Sequence, residues 1–289
     1  MQEVPFSTVS RPCYRSEKGP DLHAMLLECY FDDSSDPRRE KYYACGGLLG
    51  DQDQWDFFEA AWSHETHGLR EPFRSTDCEC GHGQFSNWPK SKRDDLMARL
   101  VNIICEFRLY GFASIVPIAE FNRAFPSLDK KEAFSLAATQ VIFNICHVAD
   151  RNDMNADFWF EEGQQDGIIL RIRDSIRALN WKPARRLRAV HFDTKRLRAL
   201  QSADLIARES FKHMDNLGTR PMRIPVCKLS EILFFMLWTD GSLQHLAASG
   251  WPENLQPLLS FGDLPPDARI QHFWKRSWAF HEQTAKSIR

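Results

Sequence analysis

Acidic side chains that could share one cation occur at the ends of two predicted strands. Asp32 and Asp33 follow the apolar run LLECYF, and Glu161 and Glu162 follow the aromatic run FWF. Because successive side chains point to opposite faces of a strand, only one acid of each pair can enter a shared site. The first acid of each pair directly follows the apolar run, which favours Asp32 and Glu161. The second acids are expected to face solvent.

A third acid, Asp204, lies in the segment RALQSADLIARES, which has helical periodicity. Asp204 borders the apolar face of this helix, where a carboxylate without a partner loses hydration at a cost in free energy. Gln201 lies one turn earlier on the same face and could orient the carboxylate. The pattern equally allows a surface ion pair between Asp204 and Arg208, worth roughly 0.3–0.5 kcal/mol.

If these acids meet, their mutual repulsion raises their pKa values, and a hard divalent cation relieves that repulsion. Two such ions about 3.5–4 Å apart activate water and stabilise the leaving oxygen in phosphodiester hydrolysis. The segment KPARRLRAVHFDTKRLR, residues 182–198, contains seven Lys or Arg and leads into the Asp204 helix. Lys195, Arg196 and Arg198 could therefore hold phosphate, although a charge run of this kind is also compatible with a solvated loop.

The hydrophobic pattern predicts the elements that must position these acids. Strands are predicted at 24–32, 42–50, 111–118, 156–163 and 186–194, and helices at 53–68, 89–108, 129–151, 165–180 and 198–214. This order predicts an α/β domain at residues 1–216, with a mixed five-stranded sheet flanked by helices on both faces. Residues 1–20 are predicted to be an irregular arm, and 217–289 a mostly helical C-terminal extension.

Composition limits the classes of partner. The formal net charge of −2 gives no global attraction to nucleic acid or to an anionic membrane, so a polyanion site must be a local patch. The most apolar run, ILFFMLW at 232–238, is far shorter than the roughly 20 residues that span a bilayer. Eight Cys and an amino terminus without an apolar leader segment predict reduced thiols in a cytoplasmic protein.

Four of these motifs together resemble the family called domain of unknown function 3800. The segments are YFDDSSD, FRSTDCECGHGQF (73–85), FEEG and FDTKRLRALQSADLIARE (192–209), of which the last is the most specific. The likeness covers residues 24 to about 215. It implies a ribonuclease H-like fold with a divalent-metal site.

The resemblance also implies roles for particular residues. Asp32, Glu161 and Asp204 become the expected ligands of Mg²⁺ or Mn²⁺. The residues with expected supporting roles are Gln201 and Lys195, with Thr76 and Asp77 at the rim of the site. Arg74 stands where the family often has His, and Asp33 where it often has Glu.

A zinc site is a rival interpretation of the middle segment. Cys78, Cys80 and His82 lie close together in the sequence, and His64 and His67 precede them. Structural zinc usually shows paired Cys spacing, and Cys-x-Cys-x-His departs from it.

The sequence therefore predicts a metal-dependent nuclease or phosphodiesterase that acts on DNA or RNA. Two alternatives stay open: a catalytically inactive ribonuclease H-like module that binds nucleic acid or assembles complexes, and a zinc-stabilised interaction protein. The C-terminal extension could contact a protein partner or a second copy of the chain. Core packing or partner docking is favoured for its aromatic segment HFWKRSWAFHEQ (272–283).

Overall fold

The structure is a computed structural model, and it describes residues 26–163 and 165–255. The predicted irregular arm at 1–20 lies outside these residues, as does the aromatic segment at 272–283. All the predicted strands and helices fall within the described part except for the first two residues of the first strand.

The described residues form a six-stranded mixed sheet with the order β5-β4-β1-β2-β3-β6. The strands are β1 Leu26–Ser35, β2 Tyr42–Gly50, β3 Tyr110–Pro117, β4 Asn155–Glu161, β5 Leu187–Asp193 and β6 Leu233–Leu237. β2 is antiparallel to β1 and β3, and every other neighbouring pair is parallel. The carboxyl ends of the five remaining strands therefore lie at one edge of the sheet. The predicted α/β class and the mixed sheet are confirmed.

The first strand is longer than predicted. Asp32 and Asp33 lie inside β1, because the antiparallel ladder continues through Ser34, opposite Ala44, and Ser35, opposite Tyr43. The polar residues that indicated a turn instead extend the hairpin, and the turn itself begins at Asp36. The predicted pairing of the first two strands is confirmed, whereas the prediction that both acids end the strand is wrong.

The predicted number of five strands is also wrong. β6 comes from the apolar run within the segment predicted to be mostly helical, and it pairs in parallel with β3, with Leu233 opposite Gly111. A short continuous apolar run cannot be assigned to helix or strand from periodicity alone, which is why the sequence did not reveal it. The boundary proposed between residues 216 and 217 stays a prediction.

Helices cover both faces of the sheet, as predicted. The helices are α1 Gln52–Thr66, α2 Ser75–Cys80, α3 Lys90–Glu106, α4 Ile118–Ala124, α5 Glu132–Arg151, α6 Asp166–Ala178, α7 Arg198–Asn216, α8 Ile224–Leu229 and α9 Asp240–Ala248. Alternation along β1 divides the core: Phe31 packs in the cluster that contains α5, and Tyr30 in the cluster that contains α7. The α7 face carries the candidate site.

α7 lies unusually close to the sheet because β2 has Gly46 beneath it. A Cβ atom at Gly46 would lie 2.9 Å from the Cα of Ala207, closer than real Cβ contacts. Gly46 is directly opposite Asp32 in the β1–β2 ladder, so both positions face the same helix. The glycine therefore lets α7 approach the strand that carries Asp32.

Candidate functional site

The three predicted acids converge on one buried lysine. The Nζ atom of Lys195 lies 2.8 Å from Asp32 Oδ2, 3.2 Å from Glu161 Oε2 and 2.6 Å from Asp204 Oδ1. We call these four residues the carboxylate cluster. Since all three oxygens contact one nitrogen, they lie no farther apart than twice the longest of these contacts.

Each member of the carboxylate cluster is placed by a different element. Asp32 projects from β1 towards α7, while its neighbour Asp33 lies on the opposite face of the sheet, near Arg39 and Tyr43. Glu161 is the last residue of β4, and Lys195 follows the end of β5 by two residues. Parallel β1, β4 and β5 bring their carboxyl ends to the same edge, and α7 returns across the sheet from that edge.

Asp204 is held by hydrogen bonds that the sequence did not predict. The backbone N–H of Ser75 donates to Asp204 Oδ2 at 2.6 Å, and the Ser75 hydroxyl donates to the same oxygen. Arg208 pairs instead with Glu79, at 2.7 Å. The surface pair between Asp204 and Arg208, one of the two readings left open by the sequence, is therefore absent.

Gln201 positions Lys195 rather than Asp204. Its Nε2 donates to the carbonyl oxygen of Lys195 at 2.8 Å, and its Oε1 accepts a hydrogen bond from Trp62 Nε1 at 2.9 Å. Both groups are buried. The amide thus fixes the loop that carries the lysine, which corrects the expectation that it orients the Asp204 carboxylate.

The segment before and at the start of α2 borders the site through residues other than those predicted. Arg74 Nη2 lies 3.1 Å from Glu161 Oε1, and Ser75 donates a hydrogen bond to Asp204. Thr76 is exposed and Asp77 is half-buried, and within 26–163 and 165–255 neither side chain contacts the three acids through a hydrogen bond or ion pair.

The electrostatics of the cluster follow from burial and from one shared cation. Burial raises the pKa of Asp32 to about 8, and the attraction of Lys195 only partly opposes that rise. Burial also acts to lower the pKa of Lys195, but the three carboxylates outweigh it and raise that pKa. For Asp204, burial raises the pKa, and the combined effect of Lys195 and Ser75 nevertheless holds it below its usual range. A protonated Asp32 beside a charged Lys195–Asp204 pair results at neutral pH.

The carboxylate oxygens of the cluster are chemically suited to a hard divalent cation. Three carboxylates supply oxygen ligands of the type that Mg²⁺ and Mn²⁺ prefer. Asp32 Oδ2 is buried and accepts no hydrogen bond, although Lys195 Nζ lies at ion-pair distance. The ammonium group stands where a cation would be held, and no group of three His, Cys, Asp or Glu side chains within the described ranges is arranged around a metal position. A divalent ion would therefore have to displace Lys195.

The residues of the rival zinc interpretation lie in different environments. Cys78 is buried and its Sγ donates to the carbonyl oxygen of Arg93, whereas Cys80 and His82 are exposed. His64 and His67 are exposed and stack on each other, with ring centroids 6.0 Å apart. In the part of the chain that the structure describes, these side chains form no group that could hold a metal ion.

Two clefts of opposite charge border the carboxylate cluster. The basic cleft, about 240 Å³, is lined by residues that include Arg70, Glu71, Phe73, Arg196, Arg198 and Gln201. The acidic cleft, about 390 Å³, is lined by Asp33, Arg39, Glu161, Glu162, Gly163 and Gln165. Glu161 thus belongs to both the cluster and the acidic cleft, and it gives the cluster its route to solvent, with 26% of its side chain exposed.

Most of the basic run at 182–198 is neutralised by neighbouring acids. Arg186 and Lys182 pair with Asp150, Arg188 pairs with Asp157, and Arg198 pairs with Glu59. Lys195 is buried and surrounded by carboxylates, so it does not face solvent as a phosphate ligand would. Arg196 is exposed and lines the basic cleft.

No protein-family model matches this chain, and no curated protein matches it. What can be said of the fold and the site therefore comes from the geometry of this chain. Within the described residues, none of the helices is both long enough and apolar enough to cross a bilayer.

Proposed function

We propose that this chain is a divalent-metal-dependent nuclease or phosphodiesterase with a ribonuclease H-like fold. The observation that carries the proposal is the convergence of Asp32, Glu161 and Asp204, from three elements distant in sequence, on a single point. Burying three carboxylates together is costly without a cation. A purely structural role would be met by apolar side chains of similar volume at lower cost.

The sheet supports the proposal by the way it gathers the acids. β1, β4 and β5 are parallel neighbours, so Asp32, Glu161 and the loop with Lys195 share one edge. Rigid strands and one long helix hold the carboxylates, which suits a site that must keep its geometry during a reaction. The strand order and the two covered faces are compatible with the ribonuclease H-like fold that the sequence motifs imply.

In this proposal Asp32, Glu161 and Asp204 hold Mg²⁺ or Mn²⁺. A bound ion would supply the Lewis acidity that activates water and stabilises the leaving oxygen of a phosphodiester. With such an ion bound, Lys195 would be free to contact a phosphate oxygen, the role the sequence suggested for it. Nucleic acid is the proposed substrate, because the surface beside the cluster offers arginine side chains to a polyanion.

A second candidate function is favoured by the position of Lys195. Its ammonium already contacts all three carboxylates, so the cluster holds a cation of its own without any metal. A nucleic-acid-binding or assembly module whose acids are structural would keep this arrangement permanently. The two candidates differ in whether a divalent ion can replace the lysine.

The deciding experiment incubates single- and double-stranded DNA and RNA with the full chain and Mn²⁺ or Mg²⁺. Under the nuclease proposal, Asp32→Asn and Asp204→Asn lower cleavage by on the order of 100-fold or more, because charge stabilisation of the transition state is lost. Asp33→Asn is the matched control on the opposite face of the same strand. Glu161→Gln and Glu162→Gln form a second matched pair.

The outcomes separate the candidates. Cleavage that needs a divalent ion and is lost in Asp32→Asn but kept in Asp33→Asn supports the nuclease. Binding that survives both Asp32→Asn and Asp204→Asn, with no cleavage under either ion, supports the module. Near-stoichiometric zinc in the purified protein would instead support the zinc-stabilised interaction protein.

A further inference from the structure

We infer that the basic cleft is a phosphate subsite, formed chiefly by Arg70 and Arg196, that holds a backbone phosphate next to the carboxylate cluster. The identity of the ligand as nucleic acid rests on the proposed function. The affinity of the cleft for a phosphate group is independent of the proposed function, because it follows from the charge of the cleft alone. Of these two arginines, only Arg196 is among the residues that the sequence suggested for this role.

The charge of the cleft is only partly neutralised by the protein. Arg70 and Arg196 are exposed, and neither forms an ion pair with another residue in 26–163 or 165–255. Arg198 adds a third guanidinium, shared with Glu59 at 3.2 Å. Glu71 is the acidic residue in the lining. The guanidinium group presents donors in a planar fork that matches phosphate oxygens, so this set favours an anion of that shape.

The cleft shares structural residues with the carboxylate cluster. Gln201 lines the cleft and at the same time donates to the carbonyl oxygen of Lys195. Phe73 also lines it, and the next two residues, Arg74 and Ser75, contact Glu161 and Asp204. A phosphate in the basic cleft would therefore lie beside the residues that position the cluster.

The acidic cleft, which Glu161 lines, indicates on which side of the cluster a polyanion is bound. Three acids, Asp33, Glu161 and Glu162, line it against the single cation Arg39. A polyanion is repelled there and attracted on the basic side. A strand that crosses the cluster should therefore be held by phosphate on the Arg70 side only.

The test measures binding of a fluorescein-labelled single-stranded oligonucleotide by anisotropy in the presence of chelator, at several salt concentrations. The double variant R70Q/R196Q should bind on the order of 10-fold more weakly, with the salt slope reduced by about 0.7 for each phosphate contact removed. E71Q should bind more tightly. R185Q is the matched control, since Arg185 is exposed and belongs to the same basic run but lies outside the cleft.

Equal affinity of R70Q/R196Q and wild type, or an equal loss in R185Q, would overturn the subsite. Because the chelator removes divalent ions, this binding measurement is independent of cleavage. If binding depends on Arg70 and Arg196 but no Mn²⁺-dependent cleavage is found, the subsite is supported and the nuclease is rejected. Competition arms identify the ligand. Displacement by inorganic phosphate as effective as by unlabelled oligonucleotide indicates a site for free phosphate, and displacement by a nucleoside lacking phosphate contradicts the subsite.

Discussion

At the scale of single residues, Lys195 decides the charge balance of the site. One ammonium faces three carboxylates in a region where Lys195 and Asp32 are each only 5% exposed. The protein meets the imbalance by keeping the proton on Asp32 to about pH 8, while Asp204 stays ionised with help from Ser75. Removing the lysine and changing the pH therefore test the same balance in two ways.

Replacing the lysine should expose the cost of the carboxylates. Lys195→Met is expected to lower the free energy of unfolding by about 3–5 kcal/mol, because it leaves buried acids without a partner. Added Mn²⁺ should recover much of that loss, since the vacated position then suits a divalent cation. Urea unfolding with and without Mn²⁺ measures both effects.

Lys90→Met is the control for this substitution, because Lys90 pairs with Asp94 on an exposed helix surface. We expect its effect to stay below about 1 kcal/mol. Unchanged stability in Lys195→Met would contradict the charge balance described here. Lost stability with no recovery by Mn²⁺ would favour the structural role of the acids.

The raised pKa of Asp32 predicts a pH dependence of stability with a definite sign. Between about pH 4 and 8 the unfolded chain has lost the Asp32 proton while the folded chain keeps it. Folding therefore binds a proton, and this group makes stability fall as pH rises, by about 1.4 kcal/mol per pH unit at most. Above pH 8 its effect is constant.

The comparison of wild type with Asp32→Asn isolates this contribution. The difference in unfolding free energy between the two proteins should change steadily from pH 5 to 8 and level off above that. Groups with shifted pKa values that do not interact with Asp32, such as Glu209, cancel in the difference. A difference independent of pH would show that Asp32 is ionised throughout.

The sequence exposed the acids of the site better than their partners. Asp32, Glu161 and Asp204 stand out because each follows or borders an apolar run, where burying a carboxylate without a partner costs free energy. Ser75 and Arg74 carry no comparable signal, because their role depends on α2 docking against α7. Glu79 fixes that docking by pairing with Arg208 and with Arg223, a contact between distant segments that no local pattern reveals.

At the scale of elements, the packing of α7 on β2 controls the distance between Asp204 and Asp32. The sequence predicted both elements closely: β2 spans the predicted residues 42–50, and α7 extends only two residues beyond the predicted helix. Their separation was not predictable, because it depends on which residue lies beneath the helix. Gly46 fills that position, and its register opposite Asp32 ties the helix to the site.

Gly46→Ala should therefore disturb both stability and the site. The new Cβ atom would meet the backbone of Ala207 at 2.9 Å, so α7 must shift away from the sheet. We expect a loss of about 1–3 kcal/mol, as for other overpacked sites; under the nuclease proposal, divalent-ion-dependent cleavage would also be weaker. Urea unfolding and the cleavage assay measure these effects.

Gly167→Ala is the matched control, because nothing lies within 4 Å of a Cβ at that position in α6. Replacing glycine by alanine in an exposed helix should leave stability unchanged or raise it by up to about 1 kcal/mol. If both variants behave alike, the close approach of α7 does not control the site.

At the scale of the whole molecule, the sheet joins the part of the chain after residue 216 to the part before it. β6 extends the sheet beyond β3, and Phe235 is buried in the core beneath α7. The predicted α/β architecture needed only the alternation of apolar segments, so it was accessible from sequence. The place of the last strand was not, because its partner β3 is separated from it by more than half of the described chain.

The shared sheet predicts that residues 26–255 unfold as one cooperative unit. Phe235→Ala should cost about 3–5 kcal/mol and lower the midpoint of a single calorimetric transition. Phe57→Ala is the control, because Phe57 is 66% exposed. Two separate transitions, of which Phe235→Ala shifts only one, would instead show that residues 217–289 form an independent extension.

The separation of Asp32 from Lys195 and Asp204 along the chain has a consequence for synthesis. When the hairpin of β1 and β2 leaves the ribosome, the lysine and the helix that will cover Asp32 have not yet been made. Until they emerge, Asp32 lacks Lys195 and Asp204, and Tyr30 and Leu48, which share its side of the sheet, lack one of the helices of the cluster that buries them. The nascent chain therefore carries this part of the apolar face without α7 until the residues up to 216 have been made.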